Sequence, residues 1–158
     1  MGGLMMWIPE PIQDGGYQKL MEDFMQKIFE LAPKPPFNFT IHGILLFGSV
    51  ARGDNFDYSL HESDLDILIV ADGLSSDPFD RRMSCAWIKD FCTEIEDIWV
   101  TPSELDALIK GRTGWVMDAL YDGKILWEYE YFLTSRIAAF KSLIGKELIR
   151  VGRTWHFL

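Results

Sequence analysis

Basic residues are scarce in this sequence. Fifteen lysines and arginines stand against 24 acidic residues, which gives a formal net charge of −9. A protein that follows the phosphates of a nucleic acid needs a basic patch, so this balance argues against a broad nucleic-acid surface. It leaves room for a small anion that a few well-placed groups would hold.

Cysteine and long apolar runs are also scarce. The two cysteines, Cys85 and Cys92, form neither a disulfide framework nor the spacing of a zinc site, so we expect a cytoplasmic protein. No apolar stretch approaches the roughly 20 residues that a membrane-spanning helix needs, so we expect no membrane association. The opening residues, "MGGLMMWIPEP", carry no basic leader, and we expect no signal peptide.

What the chain does have is enough apolar sequence for one core. With 158 residues and 48% hydrophobic residues, we expect a single domain over 1–158, with a core at about 38–128. Apolar spacing predicts an N-terminal helix at about 16–32 and a C-terminal helix at about 129–149. Strands are expected at 39–47, 65–70, 94–101 and 124–127. Helices are expected between them: one at about 80–92, one that begins near 102, and one that ends at 123. This order predicts an α/β (α+β) fold, a small mixed β-sheet with flanking helices.

Two aspartates one residue apart open the second predicted strand. On a strand, Asp64 and Asp66 would point to the same face, about 6.5–7 Å apart along the chain. Two such carboxylates repel each other, and a divalent cation with hard oxygen ligands, such as Mg²⁺, offsets that repulsion. A plainer interpretation makes Asp64 a loop or capping acid and Asp66 a surface residue of an edge strand.

A turn of small residues follows the first predicted strand directly. A glycine at Gly48 lets backbone amides approach an anion closely, and Ser49 adds a hydroxyl donor. Arg52 has a planar guanidinium that can reach phosphate oxygens. The turn therefore favours a phosphate ligand beside the two aspartates.

The stretches "GSVARGD" and "SDLDILIV" together resemble the signature of minimal nucleotidyltransferases in the DNA polymerase β superfamily. "DIWVTPSEL" and "ALYDGKILWEYE" extend the resemblance over about 44–129. It implies the polymerase-β-like nucleotidyltransferase fold and a nucleoside triphosphate substrate. It also implies that Gly48 and Ser49 hold the triphosphate, that Arg52 and Ser63 belong to the same binding site, and that the two aspartates bind metal. The implied cofactor is Mg²⁺, as two ions, with Mn²⁺ as an alternative.

The family pattern also requires a third carboxylate on a later strand, and the sequence offers Glu96 and Asp97. Strand alternation places these two on opposite faces. Ungapped spacing back from Thr101 favours Glu96, whereas the family's preference for aspartate favours Asp97. We take Asp97 as the catalytic and metal-binding acid, with Glu96 as the alternative.

The resemblance implies transfer of AMP or another nucleoside monophosphate to a hydroxyl acceptor, with a partner protein as one candidate acceptor. A homodimer is compatible with the sequence. The alternative is a catalytically decayed nucleotide-binding or antitoxin-like interaction module. The loop at 54–62, longer than usual for the family, offers Tyr58 or His61 for base stacking, or is a plain surface insertion.

Overall fold

A four-stranded sheet with helices on both faces organises the structure, a computed structural model that describes residues 15–54 and 64–158. The elements in chain order are α1 (Gly15–Leu31), β1 (Thr40–Phe47), α2 (Gly48–Ala51), β2 (Leu65–Asp72), α3 (Pro78–Ile88), β3 (Ile95–Val100), α4 (Pro102–Lys110), α5 (Gly114–Asp122), β4 (Lys124–Glu128), α6 (Phe132–Lys141), β5 (Leu148–Val151) and β6 (Thr154–Phe157).

The sheet is mixed, with the strand order β3-β2-β1-β4. Strand β1 runs antiparallel to both β2 and β4, while β2 and β3 are parallel. The end of β1 therefore meets the beginnings of β2 and β3 at one edge of the sheet. The predicted α/β fold is confirmed, and the motif segments lie together at this edge.

Strand alternation divides the core between the two faces of the sheet. Along β2, Leu65, Ile67 and Ile69 contact the core under α1 and α3, whereas Leu68 and Val70 contact the core under α4, α5 and α6. Because side chains alternate along a strand, Asp66 belongs to the same face as Leu68 and Val70. The face that carries Asp66 is thus the one covered by the C-terminal helices.

Helix α1 forms because its apolar residues recur at helical spacing. Its buried side chains are Tyr17, Met21, Phe24, Met25 and Ile28. This stripe lies against one face of the sheet and confirms the predicted N-terminal helix.

Two positively charged side chains cover the outer edge of β3, which pairs with β2 alone in the described part of the chain. Nζ of Lys89 donates to the carbonyl of Ile95 at 3.0 Å, and a guanidinium nitrogen of Arg81 lies 3.5 Å from the carbonyl of Trp99. Open strand edges favour pairing with other chains, and charged side chains on the edge oppose it.

The C-terminal prediction is wrong in part, because α6 covers only Phe132–Lys141 and a hairpin follows. Gly145 has a φ of 88°, a conformation that a helix interior does not contain. The hairpin pairs β5 with β6, from Leu148 opposite Phe157 to Val151 opposite Thr154. No helix in residues 15–54 and 64–158 is long and apolar enough to cross a membrane.

Candidate active site

The turn after β1 and the carboxylate of Asp66 occupy adjoining space. Gly48 has a φ of 80°, and a Cβ placed on it would collide with Oδ2 of Asp66. The antiparallel register explains this closeness, because Asp66 lies opposite Phe47, the residue before the turn. A glycine is therefore required at position 48 on two grounds, its backbone conformation and the acid beside it.

Glu96 lies beside Asp66 on the neighbouring strand. The parallel register pairs these two residues, so their side chains share a face of the sheet. Burial raises the pKa of Asp66 to about 6, and the charge of Glu96, the charge of Asp64 and a hydrogen bond with Glu96 act in the same direction. The charge of Arg52 opposes them. A hydrogen bond between two carboxyl groups needs a proton on one of them, so below about pH 6 Asp66 holds a proton that a cation can replace.

Asp97 lies on the other face, which corrects the preference for Asp97 as the third acid. Its Oδ1 accepts from Nζ of Lys89 at 2.8 Å, and its Oδ2 accepts from Nε1 of Trp99 at 2.7 Å. Its side chain is 7% exposed, and both oxygens have protein partners. The structure thus places Glu96, the alternative, beside Asp66, and it places Asp97 in a structural ion pair.

The rest of the turn folds back on itself. The backbone N–H of Asp54 donates to the carbonyl of Ser49 at 3.1 Å, and the N–H of Arg52 donates to the carbonyl of Gly48 at 3.1 Å. The Arg52 guanidinium lies 3.3 Å from Oδ2 of Asp54. These contacts place Ser49 and Arg52 next to Asp54, and the charge of Arg52 also acts on Asp66.

Three residues singled out in the sequence, Ser63, Tyr58 and His61, lie outside the described residues. Asp64 directly precedes β2, and its charge acts on Asp66. In residues 15–54 and 64–158, no three carboxylate, histidine or cysteine side chains already enclose a common metal position. The described acids are therefore a carboxyl pair with a third acid nearby.

Two features of this region were missed by the sequence analysis. Arg153, at the tip of the C-terminal hairpin, lies 3.4 Å from Oδ2 of Asp54. The rings of Phe47 and Trp115 lie 5.7 Å apart, centre to centre, beside the turn. The hairpin had a readable signal, because Gly152 and Arg153 separate two short stretches rich in β-branched and aromatic residues, "LIRV" and "TWHF".

Comparison with known proteins gave one informative sequence match. No family model matches the chain. A curated relative from Methanocaldococcus jannaschii, named as a candidate protein adenylyltransferase, is 27% identical over 132 residues. The match covers 80% of this chain and 82% of the relative.

Solved structures show more distant likenesses. A candidate nucleotidyltransferase from Sulfolobus solfataricus is 23% identical, with a TM-score of 0.45 over 71% of this chain and 80% of its own. A chain from the complex of tri-AMPylated HEPN toxin of Shewanella oneidensis with MNT antitoxin is 18% identical. Its TM-score is 0.45, over 83% of this chain and 92% of its own.

The curated relative agrees with the two-part motif, which the fold brings together at one edge of the sheet. The name of this relative supports the predicted resemblance to minimal nucleotidyltransferases of the DNA polymerase β-like superfamily.

Proposed function

We propose that this protein transfers AMP, or another nucleoside monophosphate, from a nucleoside triphosphate to a hydroxyl acceptor with the help of Mg²⁺. The observation that carries the proposal is the contact between the turn and the acids. The Asp66 carboxylate adjoins Gly48 and pairs with Glu96 across the two parallel strands. A phosphate held by the turn would therefore lie next to the acid pair.

The donor atoms near the turn fit a hard divalent cation. Asp64, Asp66 and Glu96 would hold it through oxygen atoms alone, which suits Mg²⁺, with Mn²⁺ as the alternative. Bound as one or two ions, the metal would supply positive charge that neutralises the phosphates. The raised pKa of Asp66 supports this assignment, because burial and neighbouring acids leave an excess of negative charge that a cation offsets.

The chain's own groups account for positioning and proton transfer. Backbone N–H groups at Gly48 and Ser49 would bind phosphate oxygens, and Arg52 would add a positive charge. The acceptor oxygen would form a bond to the α-phosphorus while the bond to the β-phosphate oxygen breaks, and pyrophosphate would leave with that electron pair. The Glu96 carboxylate would take the hydroxyl proton, because it lies at the site and, among the residues that the structure describes, has no ion pair of the kind that occupies Asp97.

The acceptor we propose is a hydroxyl group on a protein. The support is the curated relative, which is named for protein adenylylation and matches most of the length of both chains.

Calorimetric titration with Mg²⁺ and a non-hydrolysable ATP analogue tests the binding step. The wild type should bind the analogue, whereas the double variant Asp64→Asn with Asp66→Asn should lose metal-dependent binding. Asp97→Asn is the matched control, since it removes an acid on the opposite face of the sheet. Equal binding by the wild type and the double variant would sink the assignment of the acids.

Turnover is measured with ATP labelled at the α-phosphate. We expect label on an acceptor protein, and slow release of AMP and pyrophosphate when water replaces the acceptor. Binding without either product would instead favour a decayed nucleotide-binding module.

A further inference from the structure

The tip of the C-terminal hairpin lies beside the phosphate-binding turn, 99 positions away in sequence. A guanidinium nitrogen of Arg153 lies 3.4 Å from Oδ2 of Asp54. The backbone N–H of Asp54 in turn donates to the carbonyl of Ser49 at 3.1 Å. A chain of direct contacts therefore joins the hairpin tip to the motif.

The fold fixes where this arginine lies. Val151 pairs with Thr154, so Gly152 and Arg153 form a two-residue hairpin turn, and Gly152 has the positive φ, 63°, that the first position of such a turn requires. Behind the tip, Nε1 of Trp155 donates to Asp118 on α5 at 2.9 Å.

Arg150 anchors the same hairpin. Its guanidinium lies 4.5 Å from the centre of the Tyr121 ring and within 3.5 Å of carboxylate oxygens of Asp118 and Asp122. The hairpin is thus attached to α5 through several contacts, and its tip is placed by packing.

Two arginines share one oxygen of Asp54. Arg52 and Arg153 lie 3.3 and 3.4 Å from Oδ2, so two positive charges meet one negative charge. The Arg153 side chain is 66% exposed. In residues 15–54 and 64–158, Nε of Arg52 is buried and has no hydrogen-bond partner. The exposed ion pair between Arg153 and Asp54 contributes little to stability. Two arginines around one carboxylate are better suited to binding an anionic ligand.

We propose that Arg153 binds the β- and γ-phosphates of the nucleoside triphosphate, as a specificity residue for the reaction proposed above and dependent on it. Asp66 adjoins Gly48, whereas Asp54 is hydrogen-bonded to Ser49 and is itself contacted by Arg153. The α-phosphate belongs at the acids, where the acceptor attacks, and the rest of the polyphosphate would extend toward Arg153. There the guanidinium would also neutralise charge that develops on the leaving pyrophosphate.

The test compares a triphosphate with a monophosphate. In calorimetry with Mg²⁺, Arg153→Gln should weaken binding of a non-hydrolysable ATP analogue by roughly three- to tenfold, as expected for one exposed charge-assisted contact. Binding of AMP should stay unchanged, and Arg153→Lys should restore part of the loss. Arg82→Gln, at an exposed arginine of α3 under the opposite face, removes the same charge and should change neither affinity.

Each outcome decides between the two proposals. If the wild type binds the analogue and Arg153→Gln binds it equally well, the role of Arg153 is refuted and the proposed function stands. Equal losses for the analogue and for AMP, or an equal loss in Arg82→Gln, would also refute it. If the wild type binds no nucleotide, the proposed function fails and this role fails with it. Thermal unfolding of each variant verifies that the hairpin is intact.

Discussion

Replacing Asp66 by asparagine should stabilise the metal-free protein at and above neutral pH, although it should abolish transfer. Burial, with the charges of Glu96 and Asp64, raises the pKa of Asp66 from 3.8 to about 6 in the folded protein. The folded state then binds this proton more tightly than the unfolded state does. The resulting stabilisation is fully present below pH 3.8 and is lost as the pH rises through about 6.

The size of the effect follows from the same two values. The difference between them corresponds to at most about 3 kcal/mol, since a tenfold change in proton affinity is about 1.4 kcal/mol. Asp66 is only partly buried, so solvent screening reduces the expected loss to about 1 kcal/mol. For a chain of this size that is a shift of roughly 2–4 °C in Tm.

Urea unfolding at pH values from 4.5 to 8, in the presence of a chelator, measures this loss. The free energy of unfolding of the wild type should fall relative to Asp66→Asn as the pH rises, and added Mg²⁺ should restore it only in the wild type. Asp23→Asn, at an exposed acid of α1, is the control and should follow the wild type. Parallel curves for the wild type and Asp66→Asn would refute the reasoning, because they would show that folding does not raise the pKa of Asp66.

Three further substitutions have separable outcomes. Glu96→Gln should lower transfer by about 100-fold or more, with little change in Tm, because its partner at the site is another acid. Asp97→Asn should leave nucleotide binding intact but cost about 2 kcal/mol of stability in urea unfolding, because Lys89 loses a buried partner. Gly48→Ala should both lower the Tm and abolish nucleotide binding. An alanine at this positive φ costs about 1–3 kcal/mol of backbone strain, and its Cβ displaces Asp66. A variant that kept full binding would contradict the described contact.

The elements that the sequence predicted well are those with a strong local pattern. Helix α1 carries an apolar stripe of helical period, and β1 and β2 are short apolar runs bounded by turn residues. The C-terminal hairpin was missed because its stretches are only four residues each and follow a true helix without a proline. Their pairing with each other, and the contacts of Trp155 and Arg150 with α5, override the helical tendency of the preceding residues.

The third acid illustrates a different limit. Alternation along β3 shows that Glu96 and Asp97 face opposite sides, but it does not show which side carries the site. That choice is made by the register with β2, which sets Glu96 beside Asp66, and by Lys89, which directly follows α3 and pairs with Asp97. The register joins segments distant in sequence, and the ion pair joins Asp97 to a residue outside β3, so no pattern within the strand contains either contact.

The two positively charged side chains on the edge of β3 also affect whether the protein self-associates at high concentration. Arg81 and Lys89 occupy carbonyls that a strand from a second molecule would need, so a neighbouring chain must first displace two ion-paired side chains. Chemical acylation of Lys89 would remove one of these barriers at a position on the opposite face of the sheet from the proposed nucleotide site. Resistance to self-association and the proposed catalysis thus involve different residues of the same sheet.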